Sequence, residues 1–337
     1  MTSPSTPRPG VDAQELDSVR PEPSRILWVD YARGIGIVLV VYGHVLGGLA
    51  PRVPIDPTFS FMTGDLVYSF HMPLFFVLSG LFVPRWLTRG LPQALAEKLR
   101  SLAYPYFVWS VLQGSLNVIL ANDTNVPLKW ADVAAIPIYP TRQFWFFYVL
   151  FLCFLIYRVL HQYVPESGIL LLAFGAHLAR PLIAWWLIGP VATYFVFFAL
   201  GVFLSGRSLH PSKLSRYRIT TVALFVLINA FALAMGLHAT LFDLVRALSG
   251  IAVTIIAADR LAASGTLPML ALLGTLSMSI YVAHVLAGAA VRGALLRAGI
   301  TWPPFHLAIG ILAGLALPVF LYRAAERAHF RSLLFGR

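Results

Sequence analysis

Asp30-Tyr31-Ala32-Arg33-Gly34-Ile35-Gly36-Ile37-Val38-Leu39-Val40-Val41-Tyr42-Gly43-His44 lies in an apolar run long enough to cross a bilayer, yet it carries an arginine and a histidine. A charge near the middle of a membrane costs roughly 2.5 kcal/mol or more, so such an arginine marks a functional site by default. The spacing adds a geometric point. Eleven helical residues advance roughly 1100°, three turns plus about 20°, so Arg33 and His44 share one face at depths about 16 Å apart. One face at two depths reads as a lined path. The alternative is local: Arg33 snorkels to the nearer interface and His44 hydrogen-bonds a neighbour.

Composition puts this run in a polytopic membrane protein. Of 337 residues, 58% are hydrophobic and 12% charged, and the mean hydropathy is +0.77, far beyond a soluble domain. The formal net charge of +11 does not point to nucleic acid, because the basic residues fall in short clusters between apolar runs. The one cysteine, Cys153, allows no intrachain disulfide.

Residues 1–24 hold five prolines and no apolar core segment, which predicts a disordered cytoplasmic tail rather than a signal peptide. Ten spans follow, each near the ~20 residues a crossing helix needs: 26–49, 66–87, 102–120, 144–161, 168–179, 183–204, 219–237, 240–258, 268–290 and 305–325. The fifth is short enough to be a re-entrant or buried segment instead. In this arrangement eighteen Lys and Arg lie on the side that carries both termini and seven on the other, which places both termini in the cytoplasm. The expected fold is all-α, a bundle of about ten spans. Residues 25–330 form one membrane domain and 331–337 a C-terminal tail.

Tyr31-Ala32-Arg33, then ten residues, then His44 is also where a family likeness begins. With Ser69-Phe70-His71-Met72-Pro73-Leu74-Phe75-Phe76-Val77-Leu78-Ser79-Gly80, the first two spans resemble those of the acyltransferase 3 family of integral-membrane O-acyltransferases. Lys98-Leu99-Arg100 with Tyr104-Pro105-Tyr106, Gln143 to Tyr148 with Trp145-Phe146-Phe147, and Ser277 to His284 are similar to later segments of that family. The resemblance implies transfer of an acyl group, most commonly acetyl, from cytoplasmic acyl-CoA to a sugar hydroxyl of a surface or secreted glycan or its lipid-linked precursor. It implies acyl-CoA as co-substrate with no permanently bound cofactor, and a multi-pass place in the bacterial inner membrane.

Within that expectation the residues take roles suited to their chemistry. A hydroxyl is a poor nucleophile near pH 7, and His44 is the candidate acid/base catalyst. Arg33, always charged and forked, suits the phosphates or carbonyls of coenzyme A. His71, Arg100, Trp145, Ser279 and His284 are the candidate substrate-binding residues. His71 precedes Pro73, which bends a helix, so it either orients the acceptor or caps backbone groups that the proline frees. His284 either lines the site or glues helices together. Arg85, Arg89, Lys98 and Arg100 form a basic loop that either captures polyanionic coenzyme A or sets topology. Gln113 and Asn117, one turn apart, face protein rather than lipid. His161, His177, His210, His238, His306 and His329 fall at span ends or in loops and are read as solvated, and no pair has the context of a metal motif. The rival class is a proton-coupled transporter or flippase of a glycan precursor, against which stands the absence of a detectable repeat.

Three histidines coincide in depth. His44 lies five residues before the outer end of its expected span, His71 five after the outer start of its span, and His284 six before an outer end. At 1.5 Å per residue each sits roughly 7 to 9 Å inside the boundary, so one layer of histidines from three helices is expected.

Overall fold

A computed structural model describes residues 26–207 and 211–336, and the expected tail 1–24 lies outside them. The described chain is helical throughout. In chain order the main helices are α1 (Leu27–Leu49), α2 (Pro57–Gly80), α3 (Tyr104–Ile119), α4 (Trp145–Leu160), α5 (Glu166–Ala179), α6 (Ile188–Ser205), α7 (Arg218–Met235), α8 (Thr240–Ser264), α9 (Pro268–Thr275), α10 (Ser277–Arg297), α11 (Pro303–Arg327) and α12 (Arg331–Phe335), with shorter helices in the connections. Eight of them are long and apolar enough to cross a bilayer: α1, α2, α4, α6, α7, α8, α10 and α11. Of the other two expected spans, α3 has 16 helical residues and α5 has 14. The chain is a multi-pass membrane bundle.

The opening stretch is its hub, because α1 packs against α2, α8, α9, α10 and α11. Small residues set the closest crossings. A Cβ on Gly34 would stand 2.0 Å from the Leu270 carbonyl oxygen, and one on Gly274 would stand 1.8 Å from that of Asp30, so α1 and α9 touch backbone to backbone. Gly80 and Gly201 do the same for α2 and α6, each facing a carbonyl of the other helix at 2.2 and 2.1 Å. Tyr31 adds a hydroxyl bond to the Thr266 carbonyl at 2.8 Å, pinning the start of α1 to the α8–α9 turn.

Two elements differ from the expected spans. The second begins nine residues earlier, at Pro57, because Asp56 caps it: its carboxylate accepts from the Phe59 amide at 2.6 Å and proline takes the first helical position. It ends at Gly80, where the chain turns into a short helix, Val83–Leu87. The ninth is broken at Leu276 into α9 and α10.

The segment set apart as a C-terminal tail is also ordered. Trp109 donates to the Leu334 carbonyl at 2.8 Å and Tyr104 to that of Leu333 at 2.8 Å, while Phe335, 2% exposed, seats between Trp109 and Tyr322.

Candidate active site

His44 sits near the end of α1, and α2 and α10 each bring a histidine to it. The His44 and His284 rings lie 5.1 Å apart, centre to centre. Tyr68 of α2 stands edge-on to both His44 and His71, at 6.4 and 4.9 Å. His71 and His284 are buried and His44 is half-buried. The three histidines are thus brought together, His284 directly against His44 and His71 through Tyr68, though not by the boundaries expected. His71 is fourteen residues into α2 and His284 thirteen residues from the end of α10, because both helices run beyond the boundaries drawn from hydropathy. Tyr68, which the sequence reading did not single out, joins the three. Its ring rests where a Cβ on Gly43 would come within 3.2 Å, so the glycine beside His44 leaves the room that the tyrosine fills.

Hydrogen bonds orient two of the rings. His71 donates from Nδ1 to the Val67 carbonyl at 2.6 Å, and His284 from Nδ1 to the Tyr281 carbonyl at 2.7 Å. A carbonyl only accepts, so each Nδ1 carries a proton, and in the neutral ring each Nε2 keeps its lone pair. The His284 Nε2 is buried without a hydrogen-bond partner. The bond from His71 goes to a backbone carbonyl of its own helix. Proline at 73 strips an amide from the Ser69 carbonyl, yet His71 binds that of Val67, so it is not a cap for the proline. Neither ring nitrogen of His44 has a hydrogen-bond partner among the described residues. Among those residues no group of three His, Cys, Asp or Glu is placed to hold a metal ion.

A polar tie braces the far side of His284. Tyr281 donates to the Gln143 carbonyl, Gln143 Nε2 donates to Gln113 Oε1 at 2.8 Å, and Gln113 in turn donates to the Val282 carbonyl. It joins α3, the entry to α4, and α10. Asn117 accepts from the Leu128 amide at 2.7 Å, so both amides of α3 do face protein.

The remaining candidates lie apart from the histidines. The Arg33 guanidinium is 5.2 Å from the centre of the Phe82 ring, just past the C-terminal end of α2. Arg100 falls in a π-helical turn, Leu99–Ala103, and lines a cavity of about 520 Å³ with Lys98, Glu97 and Gly336. Trp145 packs on Tyr194 at 4.9 Å, one layer behind the site. Ser279 is buried in the first turn of α10, and five residues of helix turn it roughly 140° from His284.

Two histidines read as solvated are not. His177 and His306 are 1% and 2% exposed, because α5 folds onto α6, where His177 donates to the Thr193 carbonyl at 2.9 Å, and His306 turns back to bond that of Ile300 at 2.7 Å. His210 lies outside the described residues.

A family model described as an acyltransferase domain matches residues 26–323, which takes in every helix that builds this site. The chain belongs to the acyltransferase 3 family. It carries an acyltransferase domain over most of its length, with the three histidines inside it. Among curated proteins it is similar to the nodulation protein NolL of Mesorhizobium japonicum, 29% identical over 148 residues. That match covers 41% of the chain and 36% of NolL, so the chain spans about a third of that relative's length. No solved structure matches.

Proposed function

We propose that this acyltransferase 3 protein moves an acetyl group from cytoplasmic acetyl-CoA to a sugar hydroxyl of a surface or secreted glycan, or of its lipid-linked precursor, across a bacterial inner membrane. The observation that carries the reading is His44: it faces His284 at 5.1 Å, on the helix that also bears Arg33 about 16 Å toward the other end.

In this reading acetyl-CoA enters past Arg33, whose fork suits phosphate oxygens or the pantetheine carbonyls. The thioester extends toward the histidine layer. His44 takes the proton of the sugar hydroxyl as its oxygen attacks the thioester carbonyl. The C–S bond breaks, a C–O ester bond forms, and the proton passes from His44 to the departing thiolate. His284, its Nδ1 held by backbone carbonyls, and Tyr68 hold the His44 ring in place. His71 positions Tyr68 from below. Arg100 and Lys98 add a basic surface for the nucleotide end of the donor.

The test is thermal unfolding of the purified full-length protein with and without acetyl-CoA. A ligand of the native state raises the unfolding temperature by mass action. Protection that grows with acetyl-CoA concentration and is absent with acetate supports the reading, and equal unfolding temperatures under all conditions refute it.

A further inference from the structure

At the end of the bundle opposite Arg33 and Arg100, four arginines gather around residues 121–129, the segment that follows α3. Asn125 donates to the Gly48 carbonyl of α1 at 2.8 Å and accepts from Arg52 Nε at 2.6 Å, and Arg52 also donates to the Thr124 carbonyl at 2.9 Å. Arg142 donates to the Val126 carbonyl, and Arg297 to Asp123 at 3.0 Å. Arg292, half-buried on α10, reaches α1 at the same place. Its Nη1 stands 2.5 Å from where a Cβ on Gly48 would be, so any side chain there would displace the guanidinium. The charge of Arg52 is close enough to act on it. Gly48 is four residues past His44, about 6 Å farther along α1 and about 40° round, so the guanidinium stands over the face that carries His44.

The charges here do not cancel. Asp123 meets Arg297, and both are exposed. Asp56 caps α2, and Asp132 accepts from the Lys129 amide, whose ammonium adds a further positive charge at the far end of the segment. Arg52, Arg142 and Arg292 have no carboxylate partner among the described residues.

Anchoring the segment explains Arg52 and Arg142, whose donors go to its carbonyls and to Asn125. It does not explain Arg292, which has neither a hydrogen bond nor an ion pair among the described residues. Nor does it explain two guanidiniums held near one another in a partly dehydrated crossing, where like charges repel and an unpaired one is costly. Topology does not ask for them, since basic residues set orientation from the other side of the membrane and these four are among the seven on the depleted side. An anion between Arg52 and Arg292 would meet both, and the guanidinium fork matches the oxygens of a phosphate or a carboxylate. We propose that Arg292, seconded by Arg52, binds an anionic group of the acceptor, a phosphate or a sugar carboxylate, close to the hydroxyl presented to His44. The acceptor is then an acidic or phosphate-linked glycan rather than a neutral one. The assignment rests on the acyl-transfer reading above.

The experiment uses the full-length enzyme in phosphatidylcholine nanodiscs, acetyl-CoA labelled in the acetyl group, and as acceptor the de-O-acylated glycan isolated from a strain deleted for this gene. Arg292→Gln should raise the KM for that glycan about tenfold or more, the worth of a charged hydrogen bond, and leave the KM for acetyl-CoA unchanged. Arg292→Lys, which keeps the charge, should fall between. Arg52→Gln reads the same site where Arg292→Gln does not fold. For the parent, the glycan is also offered after reduction of its carboxyl groups and, separately, after removal of its phosphate. A loss in kcat/KM after the first treatment identifies a carboxylate, and after the second a phosphate. An acceptor KM unchanged by the arginine substitutions, or a kcat/KM unchanged by both treatments, overturns this assignment alone. Destabilisation of Arg292→Gln confined to nanodiscs containing phosphatidylglycerol, with an unchanged acceptor KM, overturns it in favour of a lipid headgroup. A parent that transfers no label overturns the acyl-transfer reading and this assignment with it.

Discussion

At the residue scale the site is a set of imidazoles whose free nitrogens are decided by backbone carbonyls. His71 and His284 each spend Nδ1 on a carbonyl three or four residues earlier in their own helix, which leaves His44 as the ring whose nitrogens are open to a substrate. In the proposed reading Arg33 meets the donor, and its planar fork is what a point charge cannot replace. Arg33→Lys keeps the charge and should lose at least tenfold in kcat/KM for acetyl-CoA, measured at equal amounts of inserted protein. Parent-like kinetics would reduce Arg33 to a snorkelling charge. Arg33, His44, His71 and His284 all stood out in the sequence as polar residues in apolar runs, whereas the depths counted for His71 and His284 were off because both helices run past their hydropathy boundaries. Tyr68 and His177 did not stand out. A tyrosine in a span reads as an ordinary belt residue, and a histidine near a span end reads as solvated until the fold buries it.

At the scale of elements, the bundle depends on backbone contact at glycines. Gly201→Val places a Cβ 2.1 Å from the Val77 carbonyl oxygen, where only the helix itself can give way. Overpacking of this kind costs about 1–3 kcal/mol, so the variant should unfold at a lower temperature than the parent in the same detergent. An unchanged unfolding temperature would mean that α2 and α6 are not held at this crossing. The sequence named the helices well and their ends less well. Hydropathy draws a boundary where lipid ends, whereas α2 starts where Asp56 and Pro57 supply a cap, nine residues farther out. The break between α9 and α10 carries no proline at the join, Leu276, to announce it. The pairing of Arg246 with Asp65 links positions 181 residues apart, and no local pattern encodes such a contact; each charge alone reads as marking the outer end of a span.

For the whole molecule, the eighteen-to-seven division of basic residues argues that Arg33 and Arg100 face the cytoplasm, where acetyl-CoA is found. The parity holds with ten spans, or with eight if both α3 and α5 fail to cross. A reporter fused after Arg337 should therefore read as cytoplasmic; a periplasmic signal would reverse the direction of transfer proposed above. The proposal turns on His44 as the group that takes the acceptor's proton. The most direct measurement is the initial rate of label transfer from acetyl-CoA to de-O-acylated glycan by membranes containing equal amounts of parent and His44→Ala protein. Loss of an acid/base group lowers rates by ~10²- to 10⁴-fold, and a fall in that range with unimpaired acetyl-CoA protection is the expected result, whereas a rate equal to the parent's would contradict the account.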